Sequence, residues 1–387
     1  MDKEGFYYPT VHRSSCIGCG RCDSVCPVRT NDLVRSDHME VYGCQIQDKT
    51  VRRASTSGGV FTALAEEALR QGGCVFAAGF DERMHVLHKR AETSEQLREM
   101  RGSKYTQSEM GEVFSQIKAL LAKDRPVFFV GTPCQVEGLL CYTGRDPSLI
   151  TVDLACYGVP SPGLYDKYIA FLGEKYASPV KELYFRDKKY GYSGVNVKVV
   201  LRDGRILEDN LDVKSYGKSM FSQLGLRPIC YDCPFRTRQK ASDLTLGDFW
   251  EIGQYAPALD DETGVTKVSV HTEKGKQMLQ AVSTQIRSVQ VETLSGAALK
   301  QRQEQSALHR RCDWDRRRRF FEEMHCLDYP ALMKKYLPAS RKDRLNNRLK
   351  PVIFAVFPRP LSVWVVRMVK RRRGKGKENR KHEQGEG

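Results

Sequence analysis

Apolar and polar positions along this chain follow two rhythms. Residues 60–70 carry apolar side chains at helical spacing directly after Ser55-Thr56-Ser57-Gly58-Gly59, and Gly72-Gly73 ends the run. Residues 74–80 (CVFAAGF) form a short continuous apolar run, the mark of a buried strand. Helical spacing returns at 94–100 and 111–123. VFFV at 127–130 predicts a short buried strand that runs into Gly131-Thr132-Pro133-Cys134, with a helix from Gln135. LITVDLA at 149–155 predicts another strand, ending at Cys156. Strand, loop, helix and strand in this order predict a parallel sheet.

Beyond residue 180 the period shortens. Residues 180–186, 195–202 and 205–210 alternate like strands, and Asp203-Gly204 is a tight hairpin signal between the last two. An antiparallel insertion or second layer follows. Residues 243–246 and 267–271 return to sheet, and 273–282 to helix.

Composition adds a boundary and a tail. The chain has 387 residues, 40% of them hydrophobic, enough to build the cores of two or three domains. Of its +16 net charge, residues 341–387 supply 15 basic and four acidic side chains, so the basic character belongs to a C-terminal appendage. That appendage reads as a solvated tail, or as one that meets an anionic membrane surface or acidic partner. No nucleic-acid recognition motif accompanies the charge, so nucleic acid is not expected. Within it, residues 351–369 are apolar but interrupted by Pro358, Arg359, Pro360 and Arg367, which rules against a transmembrane helix. An interfacial amphipathic segment with Trp364 at its boundary, or a helix packed on the body, fits better.

The thirteen cysteines change the picture most. The first residues, MDKEGFYYPT, hold no apolar leader, so reduced thiols and metal or redox use in the cytoplasm are expected, with peripheral membrane contact through the tail as an option. Cys16-x2-Cys19-x2-Cys22-x3-Cys26-Pro27 is the bacterial ferredoxin run. Three thiolates two residues apart can wrap one cubane, while Gly18 and Gly20 let the backbone turn close to it. Zinc sites more often come as two CxxC pairs. In two-cluster ferredoxins the fourth cysteine of such a run serves the other cluster, so Cys26, Cys44 or another thiol completes this one, or a second run is missing. Residues 2–9 resemble a linker between two ferredoxin motifs, and a further motif about 25 residues upstream is the corresponding expectation.

A second, dispersed set comprises Cys134, Cys156 and the Cys230-x2-Cys233 pair. Cys134 and Cys156 each follow a predicted strand, and in a parallel sheet such ends share one edge. A four-thiolate cluster site is one reading; zinc, a redox pair and buried bystanders are the others. Ser55-Thr56-Ser57-Gly58-Gly59 ahead of a helix suits a pyrophosphate, or is plain capping. Arg101-Gly102-Ser103-Lys104-Tyr105 adds two cations, a flexible glycine and a ring. Absence of GxGxxG and Walker motifs argues against a Rossmann dinucleotide site or an NTPase. The fold class expected is α/β, a central mixed sheet flanked by helices, with a small N-terminal ferredoxin-like module (1–38), a catalytic domain (39–300) and a helical, basic extension (301–387).

Several strings resemble the beta-subunit family of coenzyme F420 hydrogenases and dehydrogenases: RASTSGGVFTALAEEAL (53–69), LREMRGSKYTQS (97–108), VGTPCQVEGL (130–139), TVDLACYGVPSP (151–162), FRDK (185–188), LRPICYDCPFR (226–236) and SDLTLGDFW (242–250). They run in family order from about residue 14 to 300. The resemblance implies bound FAD, a 4Fe–4S cluster in the main domain and an N-terminal ferredoxin-like module. It implies that Ser55–Gly59 and Arg101–Tyr105 hold FAD phosphates and ribose, that Thr132 and Pro133 lie near the ring, and that Cys134, Cys156, Cys230 and Cys233 bind the main-domain cluster. Where the family shows CHG, this chain has Cys156-Tyr157-Gly158, which bears on proton transfer and substrate. The function expected is an iron–sulfur flavoprotein oxidoreductase passing electrons from a ferredoxin-like donor through one or two clusters to FAD and an organic acceptor. Lys104, Tyr157 and Arg186 are candidate proton or substrate contacts, although Lys104 and Arg186 also read as ordinary surface charges. A non-catalytic electron-transfer subunit and a peripheral redox protein of polysaccharide synthesis are the alternatives.

Overall fold

The structure, a computed structural model, describes residues 1–29, 33–194, 196–236, 239–296 and 312–356. Its strands in chain order are β1 (His38–Ile46), β2 (Cys74–Phe80), β3 (Val86–Ala91), β4 (Val127–Gly131), β5 (Leu149–Leu154), β6 (Val180–Asp187), β7 (Asn196–Leu201), β8 (Ile206–Leu207), β9 (Leu244–Asp248), β10 (Thr266–Val270) and β11 (Ile286–Ser295). Eight of them make one mixed sheet in the order β11-β1-β10-β9-β5-β4-β2-β3. Its centre, β2, β4, β5 and β9, is parallel, and the remaining pairings are antiparallel.

The parallel centre is buried on both faces, which is why β4 reads as an unbroken apolar run. The helices are α1 (Arg21–Ser24), α2 (Lys49–Ala54), α3 (Val60–Arg70), α4 (Ser94–Met100), α5 (Val113–Leu121), α6 (Pro133–Thr143), α7 (Pro162–Lys175), α8 (Leu211–Phe221) and α9 (Glu273–Ala281). Phe128 and Val130 of β4 pack with α3 and α9 on one face. Val127 and Phe129, one residue out of phase, pack with α5 and α6 on the other.

A second core lies beside the sheet. The antiparallel β6-β7-β8 ribbon and helices α7 and α8 bury an aromatic cluster that includes Tyr165, Tyr168 and Tyr216. Three further helices, Trp314–Glu323, Tyr329–Tyr336 and Arg341–Val356, follow in the chain, and the first two close this core with Phe320, Phe321 and Leu332. Phe6 from the N-terminal segment is fully buried in the same cluster. Residues 301–387 therefore begin, where described, as part of the body.

The fold matches the expected mixed α/β class, with local differences. The strand predicted at 205–210 shrinks to Ile206–Leu207, because Asn210 turns out of it and caps α8 by accepting from the Asp212 amide. The hairpin itself forms, with Gly204 at φ +89° closing it. Helix α6 starts at Pro133 and not at Gln135: proline fits the first helical position, and the Thr132 amide donates to Gln135 Oε1 at 2.9 Å. Strands β1, β3 and β11 and helices α7 and α8 add to the elements expected from the sequence pattern. No helix among the described residues is long and apolar enough to cross a membrane. The apolar–basic stretch after Val356, with Pro358, Arg359, Pro360, Trp364 and Arg367, lies outside the described residues.

Candidate functional site

A cleft of about 1100 Å³ opens at the C-terminal ends of β4, β5 and β9, the edge where parallel sheets gather ligands. Three loops singled out in the sequence meet there: Ser55–Gly59, Arg101–Tyr105 and Gly131–Cys134. The first two are stitched together, since the Ser103 amide donates to Thr56 Oγ1 at 2.8 Å. Gly58 has no room for a side chain; a Cβ there would stand 2.3 Å from the Cys44 carbonyl oxygen. Gly59 and Gly102 adopt φ of +84° and +82°, a conformation glycine supplies without strain. Thr132 lines the cleft, whereas Pro133 does not; it is buried at the start of α6. The expectation that Pro133 lies beside a bound ring is therefore not met at the cleft wall; it shapes the cleft only through where it starts the helix.

Two lysines hold these loops by the same device. Lys104 donates to the carbonyls of Glu99, Met100 and Arg101 at 3.2, 2.8 and 2.9 Å, closing the end of α4. Lys188, which is buried, donates to the carbonyls of Arg52, Ser57 and Thr263 at 2.7, 2.5 and 2.7 Å. Burial pushes both ammonium groups down, each to about 7. Three carbonyl oxygens around each nitrogen match the three protons of the charged form and oppose that shift. Lys104 therefore spends its ammonium on backbone; neither it nor Arg186 is an ordinary surface charge.

Arg186 lines the cleft with a side chain only 10% exposed and donates to Asp248 at 2.9 Å. Its guanidinium lies 4.8 Å from the Trp250 ring centroid, and Trp250 stacks on Tyr192 at 4.5 Å. The Arg186 Nη2 and Arg227 Nε atoms are buried without a hydrogen-bond partner within the protein, and both residues border the cleft. Lys188, Asp248, Trp250 and Arg227 were not singled out from sequence, although the FRDK, GDFW and LRPICYDCPFR strings contain all four. Tyr157 borders the cleft half-exposed, and its hydroxyl accepts from Gln223 Nε2 at 3.3 Å. Helix Arg341–Val356 adds Asp343, Asn346, Asn347 and Lys350 to the far wall.

Cys134 and Cys156 both border this cleft. Burial first, then the charges of Cys134, Cys230 and Cys233, push the Cys156 thiol up to about 12, so all four sulfurs lie within electrostatic reach of one another. Backbone pairing brings their segments together: the Arg227 amide donates to the Val159 carbonyl at 2.9 Å and the Ser161 amide to Gly225 at 3.0 Å. Among the described residues, no three His, Cys, Asp or Glu side chains close around a point at the spacing of a single metal ion.

Cys16, Cys19 and Cys22 are exposed and Cys26 is half-buried, in a loop that Gly18 (φ +68°) and Gly20 (φ +70°) let turn tightly. Cys44 is fully buried in β1 within the main core, which removes it as a ligand for that loop. The module is fastened to α6. Arg35 pairs with the buried Glu137 at 2.6 Å, and Pro27 lies beside Gly138. Helix α6 thus carries Cys134 at its start and the dock for the N-terminal cysteines one turn later.

The sequence comparisons agree with this layout. Residues 9–30 match the 4Fe-4S binding domain. Residues 41–115 match the N-terminal model, and 124–294 the C-terminal model, of the coenzyme F420 hydrogenase/dehydrogenase beta subunit. No curated protein matches the chain. Among solved structures, a chain of the F420-reducing NiFe hydrogenase complex from Methanosarcina barkeri is similar at 18% identity and TM-score 0.46, covering 75% of this chain and 93% of that one. With both halves of one family matched in order behind a cluster-binding motif, the chain belongs to the coenzyme F420 hydrogenase/dehydrogenase beta-subunit family.

Proposed function

We propose that this protein is an iron–sulfur flavoprotein oxidoreductase. Electrons from a ferredoxin-like donor would enter at a 4Fe–4S cluster on Cys16, Cys19, Cys22 and Cys26. They would pass to a second cluster on Cys134, Cys156, Cys230 and Cys233, and leave through FAD in the cleft to an organic acceptor. The observation that carries this reading is α6, which joins the N-terminal cysteine loop, Cys134 and the cleft in three turns. FAD, when bound, supplies the conversion between single electrons from clusters and the electron pair an organic acceptor takes.

The residues suit that group. Ser55–Gly59 leads into the start of α3, and Gly58, with no room for a side chain against β1 and β10, lets the loop lie flat on the sheet beside the cleft. Arg101 stands on the neighbouring loop, held by Thr62 Oγ1 at 3.2 Å and Glu66 at 3.5 Å. Seven Lys and Arg side chains against two Asp line the cleft among the described residues, a field that favours anionic ligands. Arg186, paired with Asp248 and beside the Trp250 ring, would orient the acceptor, and Tyr157 would exchange a proton with it. The family match to a hydrogenase or dehydrogenase subunit favours a second reading, in which the chain relays electrons inside a larger complex.

The test is anaerobic purification with iron, sulfide and flavin counted. Two clusters, about eight iron and eight sulfide per chain, with one FAD are expected. Zinc in place of iron would overturn the proposal. Reduction of an acceptor by the isolated chain with dithionite-reduced viologen separates the enzyme from the subunit reading.

The donor face yields a further expectation. Arg13, Arg21 and Arg29 are exposed around the N-terminal cysteines, with Asp23 the acidic neighbour of Arg29 at 2.8 Å. Reduction by an acidic ferredoxin should therefore slow about tenfold from low to high ionic strength, while reduction by dithionite does not. Stopped-flow bleaching of the cluster absorbance reads both; a salt-independent ferredoxin rate would remove the electrostatic dock.

A further inference from the structure

Arg317 stands in helix Trp314–Glu323, past residue 294 where the family match ends. It is among the most enclosed charges in the molecule, 3% exposed. Its two terminal nitrogens grip Glu4 at 2.8 and 2.6 Å, and Glu4 lies ahead of residue 9, where the N-terminal match begins. The same guanidinium donates to the Leu226 carbonyl from Nε at 3.3 Å and Nη2 at 2.9 Å. Leu226 opens the loop that carries Cys230 and Cys233. Between those cysteines, Tyr231 lies 5.7 Å from the Arg317 guanidinium and packs on Trp314 at 5.0 Å.

Glu4 is itself locked into the body. Its carbonyl accepts from Ser161 Oγ at 2.5 Å, the Gly5 carbonyl accepts from the Gly163 amide at 3.1 Å, and Phe6 is buried against Phe321. Ser161 follows the Cys156 segment, and Leu226 bridges Pro160. Arg317 therefore touches, directly or through one partner, both backbone segments that bring Cys156 and Cys230 together. It also anchors the segment that leads into the N-terminal cysteine loop.

We infer that Arg317 is a positioning residue for the main-domain cluster: with Glu4 it fixes the Cys230–Cys233 loop against the Cys156 segment and sets its relation to the N-terminal cluster. The inference rests on the two-cluster reading above. A planar fork that meets a carboxylate and a carbonyl at once is the geometry arginine supplies and lysine does not. Removing Arg317 alone would also leave the part-buried Glu4 carboxylate without its cation, so stability and positioning must be separated.

The experiment compares wild type, Arg317→Met and the double variant Glu4→Gln with Arg317→Met, each purified anaerobically as the full chain. Thermal unfolding, iron content, and an EPR-monitored redox titration are measured. The double variant is expected to recover most of the stability lost by Arg317→Met, yet to keep an altered EPR signal and midpoint potential of one cluster only. Electron delivery from the N-terminal cluster to the cleft should fall about 10- to 100-fold. A double variant with both cluster signals and the transfer rate of wild type would overturn the inference and leave the two-cluster reading intact. Wild type with a single cluster would remove that reading and the inference with it.

Discussion

Cys134→Ser is expected to halve the iron of the purified chain, from about eight to about four per molecule, and to leave the N-terminal cluster and the flavin in place. Serine keeps nearly the size of the side chain at the start of α6 and can replace the thiol in its 3.1 Å contact with the Thr132 hydroxyl, while the Thr132 amide still donates to Gln135 Oε1. The local fold should therefore survive, and the loss should be one of ligation. Acceptor reduction should drop at least about 100-fold, since the effect of losing a ligand exceeds that of losing its outer support. The N-terminal EPR signal should persist and dithionite should still reduce it. Cys326→Ser, an exposed thiol outside both proposed cluster sites, serves as the control with full iron. Full iron and unchanged turnover in Cys134→Ser would dismiss the assignment of the second cluster.

This result would also test how far spacing can be trusted. The ferredoxin run was legible because its four thiols are close in sequence, and its tight loop needs only Gly18 and Gly20 to turn. The dispersed set was legible in part, because strand ends in a parallel sheet share an edge: Cys134 and Cys156 follow β4 and β5, which pair in register. The Cys230–Cys233 loop reaches them through the Val159–Arg227 backbone pairing, which no local pattern announces.

Elements buried on both faces were read closely, as α3 and β2 show, because burial imposes a continuous apolar signal. Strand β11 was missed because, with most of its side chains half-exposed or exposed at the sheet edge, RSVQVETL carries little such signal. The second core was missed for a different reason. Its aromatic residues come from α7, α8, the C-terminal helices and Phe6, each too short or too mixed to declare a partner. Arg317 and Lys188 belong to the same class: a buried cation is legible only once its distant acceptors are known.

Lys188→Met should be the most damaging single change to the Ser55–Gly59 loop, the proposed FAD phosphate site. Methionine retains the apolar stem and fills the space, so the loss isolates the ammonium. Three carbonyls, those of Arg52, Ser57 and Thr263, then lose the ammonium donor at once, with the Arg52 carbonyl keeping only the long bond from the Ser55 amide at 3.3 Å. At about 1 kcal/mol for each carbonyl left short, the chain should lose about 3 kcal/mol of stability. Arg52 lies in the last turn of α2, Ser57 in the Ser55–Gly59 loop, and Thr263 shortly before β10, so the loss falls on the joint that shapes that loop. If about half of it is felt in the bound state, FAD binding weakens about tenfold, since 1.4 kcal/mol is a factor of ten. Lys188→Arg should recover the charge without the fit, because a planar fork cannot address three oxygens arranged around a point. Flavin retained through gel filtration, read by absorbance against protein, gives the affinity, and iron content gives the control: it should stay at the wild-type value. Wild-type flavin content in Lys188→Met would mean that the loop holds its shape without the lysine, and the case for a pre-shaped phosphate site would then rest on Gly58 and Thr56 alone.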